Sequence, residues 1–60
     1  MMADTPARVM CIDDNSVLLA SLRTRIGLHT RLEWVGDSET GDGLVDRVRA
    51  LRVDVILMDV

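Results

Sequence analysis

Two short apolar runs, each closed by acids, constrain this chain more than any other feature. The last stretch, Val53-Asp54-Val55-Ile56-Leu57-Met58-Asp59-Val60, holds four consecutive apolar residues, Val55 to Met58, and then a carboxylate. Val9-Met10-Cys11-Ile12 repeats the design and runs into Asp13-Asp14-Asn15. Continuous apolar runs of this length suit strands covered on both faces, as in a parallel sheet. An unpaired carboxylate cannot share that burial cheaply. Asp13, Asp14 and Asp59 are therefore expected where the strands emerge, at the carboxyl edge of the sheet. Ligands of open α/β sheets bind at that edge.

The segments between the runs supply the scaffold. Residues 1–7 read as a leader punctuated by Pro6. After the first run, Asn15 or Ser16 can cap a helix, because either side chain accepts from a free backbone N–H. Leu18, Leu22 and Ile26, with Leu19 beside them, follow at helical spacing. Gly27 weakens the helix end. Leu32-Glu33-Trp34-Val35-Gly36 is a weaker strand, and Ser38 to Gly43 is a turn-rich loop. Asp42 is a candidate cap for a second helix, with Leu44, Val48 and Leu51 on one face and Val45 adjoining. Val53 is expected to open the final strand. The order strand, helix, strand, helix, strand implies parallel pairing through right-handed crossovers.

Sixty residues make one small domain, which buries only about 60% of its unfolded surface. A net charge of −3 gives no electrostatic case for nucleic acid or an anionic membrane. No apolar run reaches transmembrane length, the N-terminus lacks a signal peptide's pattern, and one cysteine forms no internal disulfide. The expectation is a cytoplasmic protein. Cys11 reads as a core residue of its strand, and His29 as a surface residue near a helix C-terminus. Arg47, Arg49 and Arg52 read as a solvated helix face, and Trp34 as packing at a strand edge.

If the first and last strands are neighbours, they lie about 4.8 Å apart, and Asp13, Asp14 and Asp59 converge. Clustered carboxylates repel, so such a site either takes up protons or holds a cation. Oxygen-only ligands favour a hard ion such as Mg²⁺. An ion with open positions can also hold a phosphoryl oxygen and offset charge as an acid attacks phosphorus.

Ile12-Asp13-Asp14-Asn15, Gly36-Asp37-Ser38, Gly41 and Asp54 to Val60 resemble the first half of a bacterial response-regulator receiver domain. The match runs from about Arg8 to the end of the sequence. The Val35-Gly36-Asp37 region is most similar to receivers that precede a LuxR/NarL-type helix-turn-helix domain. The resemblance implies a flavodoxin-like parallel sheet, of which residues 8–60 form the first βαβαβ portion with strand order 2-1-3. It also implies a phospho-switch of a two-component system. Asp59 would take a phosphoryl group from a sensor histidine kinase, with Mg²⁺ as cofactor. Asp14 would bind the ion directly, Asp13 would help through water, and Asp59 would share it. DNA would be reached only through a transcriptional output domain. The last two strands and last three helices of the family have no counterpart here, nor do its switch Ser/Thr and its Lys. The sequence has no lysine at all.

Other readings weigh against this one. Asp13-Asp14 could serve only as an Asx turn capping the first helix, although Asn15 and Ser16 already supply a cap. A phosphatase with an aspartyl nucleophile commonly places a second acid two residues later, where this chain has Asn15. No glycine-rich loop follows the first strand, against a nucleotide site. The expected protein is not an enzyme. A fragment that only packs is the main alternative, because the final strand would leave an edge unpaired and open to self-association.

Overall fold

The computed structural model describes residues 5–59. Met1 to Asp4 of the expected leader, and Val60, lie outside the described residues. The chain alternates β1 (Ala7–Ile12), α1 (Ser16–Gly27), β2 (Leu32–Ser38), α2 (Leu44–Leu51) and β3 (Val55–Met58). The strands form one parallel sheet in the order β2-β1-β3. The α/β class therefore stands as read from the residues, and the 2-1-3 order as the resemblance implies. No helix is long and apolar enough to cross a membrane among the described residues.

β1 is the centre. Val9, Met10, Cys11 and Ile12 are between 0% and 6% exposed, because strands flank them on both sides and helices cover both faces. Val9 and Cys11 pack with Leu19 and Ile26 of α1, and Leu22, Leu32 and Trp34 close around them. Met10 looks to the opposite side, where α2 lies. β1 alternates between the two sides as any strand does, and β2 carries a bulge between the Val9 and Met10 register positions. Trp34 aligns with Val9, but Gly36 aligns with Met10, so Val35 is an extra residue in β2 and the strand's facing changes there. Trp34 points to α1 and Gly36 to α2. A Cβ on Gly36 would lie 3.0 Å from Leu51 Cδ1 and 3.2 Å from an Arg47 nitrogen, so α2 sits this close to the sheet only over a glycine.

Several boundaries differ from expectation. Ala7 belongs to β1, pairs with Leu32 and donates its N–H to Arg31 O, so it is not leader. β3 starts at Val55 and not at Val53. Val53 instead donates to Val48 O, closing the end of α2, and Asp54 donates to Arg8 O. Between them and the helix, Arg52 takes a left-handed conformation at φ 54°. α2 begins after Gly43, which has φ 69° and no side-chain cap, so Asp42 does not cap it. Asn15 does cap α1, accepting from the N–H groups of Val17 and Leu18 at 3.1 Å each. On α1 the buried residues are Leu19 and Ile26, while Leu18 is 41% exposed. α1 lies mainly against β2, which turns Leu18 away from the core.

β3 corrects a larger expectation. Its continuous apolar run suits a strand covered on both faces, yet all four of its residues are exposed. The polar groups of β1 explain how it is held. Arg8 donates its N–H to Asp54 Oδ2 at 2.9 Å and its Nε–H to Leu51 O at 2.8 Å. One residue thus ties the start of β3 and the end of α2 to the central strand. Its ion pair with Glu33 at 3.4 Å is exposed and contributes little.

Candidate functional site

The parallel ladder carries the carboxyl ends of β1 and β3 to the same edge. Asp13 donates its backbone N–H to Ser38 O at 3.0 Å, so the first acid is registered against the end of β2. Asp59 donates its own to Ile12 O at 3.0 Å, which registers the last acid against the end of β1. The side chain of Asp13 is oriented from the helix side, with Oδ1 accepting from Asn15 N–H at 2.9 Å. Asn15 therefore joins two tasks, because its side chain starts α1 while its backbone steers the neighbouring acid.

These constraints bring one oxygen from each of Asp13, Asp14 and Asp59 within 4.8 Å of one another. Asp13 is half-buried, and Asp14 and Asp59 are exposed. All three residues singled out from the sequence meet at one place. Comparison with protein-family models, with curated proteins and with solved structures finds no match to the chain. The site is therefore read from its own chemistry.

The donor set is oxygen only, which suits Mg²⁺ or another hard divalent ion. Oxygens on one octahedral ion at about 2.1 Å lie roughly 3 to 4 Å apart. Exposed Asp14 and Asp59 have room to turn toward half-buried Asp13, so the donor set fits such an ion. The acids also open onto a groove of about 390 Å³ lined by Ile12, Glu39, Thr40, Gly41 and Met58. Glu39, Thr40 and Gly41 enter the site as neighbours because Ser38 ends β2 beside Asp13. Sequence reasoning saw only a turn-rich loop there. The signal for their position is the register of β2 against β1, which hydrophobic pattern does not fix at a bulged strand. Within that loop, Ser38 Oγ donates to Thr40 O at 2.7 Å and accepts from Thr40 N–H at 3.2 Å.

Three other residues received roles that the structure tests. Cys11 is buried and free, and burial, assisted by the negative charge of Asp37, raises its thiol above the usual range. It is a core residue. Trp34 packs against the core cluster and donates its Nε1–H to Asp37 Oδ2 at 3.2 Å. Arg47 is not part of a solvated face. It reaches across Gly36 and donates to Asp37 O at 2.8 Å, half-buried. The sequence pattern groups it with Arg49 and Arg52, but the missing side chain at Gly36 gives it a path to the sheet.

Proposed function

We propose that this chain is the N-terminal part of a response-regulator receiver, a phosphoacceptor module of a two-component system, with Asp59 as acceptor. The observation that carries the reading is the meeting of Asp13, Asp14 and Asp59 at one sheet edge, together with the motif resemblance on both flanks. In the transfer, a carboxylate oxygen of Asp59 bonds to the phosphorus of a kinase phosphohistidine. The phosphorus–nitrogen bond breaks, its electron pair stays on the imidazole, and the product is an acyl phosphate on Asp59. Asp14 and Asp13 would hold Mg²⁺, and the ion would supply positive charge beside the phosphoryl oxygens. The N–H of Asn15 keeps Asp13 turned toward that position, and the N–H bond to Ile12 O anchors Asp59. Exposure of Asp59 leaves it open to a donor as bulky as another protein. The partner is thus a sensor histidine kinase in the cytoplasm, and control of transcription passes through an output domain. The module accepts phosphate and is not itself an enzyme.

The test is acetyl phosphate with Mg²⁺. One phosphoryl group should appear by intact mass in the wild-type chain and vanish in Asp59→Asn. Asp14→Asn should weaken Mg²⁺ binding more than Asp13→Asn. Labelling that survives Asp59→Asn, or that never occurs, sinks the proposal.

A further inference from the structure

The last rung between β2 and β1 holds more than a strand end. Ser38 O takes the N–H of Asp13 at 3.0 Å, and the residues that follow, Glu39, Thr40 and Gly41, line the groove in front of the acids. The backbone of one acid and one wall of the groove therefore depend on how firmly the end of β2 is held. Pairing alone holds it poorly. β2 meets a strand on one side only among the described residues, and its extra residue, Val35, interrupts the ladder before this end.

Asp37, the residue before Ser38, is gripped twice. Trp34 donates its Nε1–H to Asp37 Oδ2 at 3.2 Å, a bond that spans the bulge. Arg47 donates from α2 to Asp37 O at 2.8 Å. That carbonyl belongs to the peptide that joins Asp37 to Ser38. Ser38 O is turned toward β1, and successive carbonyls of a strand turn to opposite sides. Asp37 O is thus turned to the outer side, where the guanidinium supplies a charge-assisted bond. A further strand beside β3 would lie on the far side of β1 and leave this corner as it is.

We propose that Arg47 is a positioning residue for the acid site. Its hold on the Asp37–Ser38 peptide keeps Asp13 and the groove wall in the arrangement that takes up Mg²⁺. The inference rests on the reading that Asp13, Asp14 and Asp59 hold that ion. Arg47 acts through Asp37, Ser38 and Asp13 in turn. A purely structural role would look different. Arg47 also lies over Gly36, and packing there needs only its stem, whereas positioning needs its donor. Coupling between sites is reciprocal, so Mg²⁺ must in turn tighten the hold on Asp37. Trp34, the single tryptophan, is bonded to that residue and reads the change.

The experiment is an Mg²⁺ titration of the whole chain by NMR, following the backbone amides of Asp13, Asp14 and Asp59 and the indole N–H of Trp34. In wild type both sets of signals should move with one dissociation constant. Arg47→Met keeps a stem over Gly36 and loses the donor. It should raise the dissociation constant about fivefold or more, the low end for coupled sites, and shrink the Mg²⁺-induced shift of the Trp34 signal. Arg47→Lys keeps a donor and should recover most of the lost affinity. Val48→Ala, on the same helix, should lower the urea midpoint and hold the affinity within about twofold of wild type.

Equal affinity in wild type and Arg47→Met, or the same loss in Val48→Ala, overturns the positioning role and leaves Asp59 as phosphoacceptor untouched. Failure of acetyl phosphate to label Asp59, with an Mg²⁺ affinity that still falls in Arg47→Met, removes the acceptor and keeps the positioning role. A wild-type chain that binds no Mg²⁺ in the millimolar range overturns it as well. Where Arg47→Met fails to fold, the wild-type titration decides, because a Trp34 signal that stays fixed while the amides of the acids shift overturns the proposal.

Discussion

β1 and β3 are nearly the same strand written twice. Each is a run of four apolar residues that delivers an acid to the same sheet edge. Yet Val9 to Ile12 are at most 6% exposed, and Val55 to Met58 are 37% to 53% exposed. The difference lies in sheet position, because among the described residues β1 has a strand on each side and β3 has one. Apolar content qualifies a strand for burial, and its place in the sheet order decides whether the burial is reached. The same fold thus holds one acid on a rigid central strand and the other on a strand whose side chains still face water.

The sharpest way to break this comparison is to truncate matched residues. Met10→Ala should cost about 2 to 5 kcal/mol, because Met10 is fully enclosed and its removal leaves a cavity. For so small a domain this should abolish the cooperative transition in urea. Ile56→Ala, at the aligned position on β3, should cost much less when measured at low concentration. Equal losses would show that β3 is as enclosed as β1. Next in size is Gly36→Val, expected to destabilise by about 1 to 3 kcal/mol through overpacking against Leu51 and Arg47. Its effect should be felt on the α2 side, with Trp34 fluorescence on the α1 side little changed in the folded fraction.

A smaller effect bears on the acid carried by β1. Asn15→Ala should cost about 1 kcal/mol by loss of the α1 cap, read from the urea midpoint. It should spare the backbone bond that orients Asp13. Smaller still is the pH dependence due to Cys11. Its folded-state thiol is raised above the ordinary value, so the neutral form's contribution is complete below the unfolded thiol's titration. That contribution is lost as pH rises through the unfolded and then the folded value. Stability should therefore fall more steeply above about pH 9 in wild type than in Cys11→Ala. Parallel curves would deny the buried thiol of β1 any part in alkaline unfolding.

The layout was legible where physics is local and repetitive. Apolar runs marked β1 and β3, helical spacing marked α1 and α2, and acids placed directly after apolar runs marked the edge where Asp13, Asp14 and Asp59 meet. What escaped depends on neighbours distant in sequence. Val53 reads as strand by composition, but its N–H closes α2, so β3 begins later. Asp42 is a good capping residue by type, but the chain reaches α2 through a left-handed Gly43 that leaves its carboxylate out of position. Leu18 belongs to the apolar stripe of α1, yet that helix lies mainly over β2. Arg47 looks like one of several surface arginines until Gly36 is seen beneath it.

The extra residue in β2 has a consequence for how this chain tolerates change. Deleting Val35 would restore simple alternation and leave every later partner in place, with Gly36 still opposite Met10 beneath α2 and Ser38 still in step with the end of β1. Deleting Gly36 instead would bring Val35 into the glycine's place, against Leu51 and Arg47. Two neighbouring codons thus differ sharply in what their loss does: one removes slack from the weave, and the other wedges a side chain under the helix.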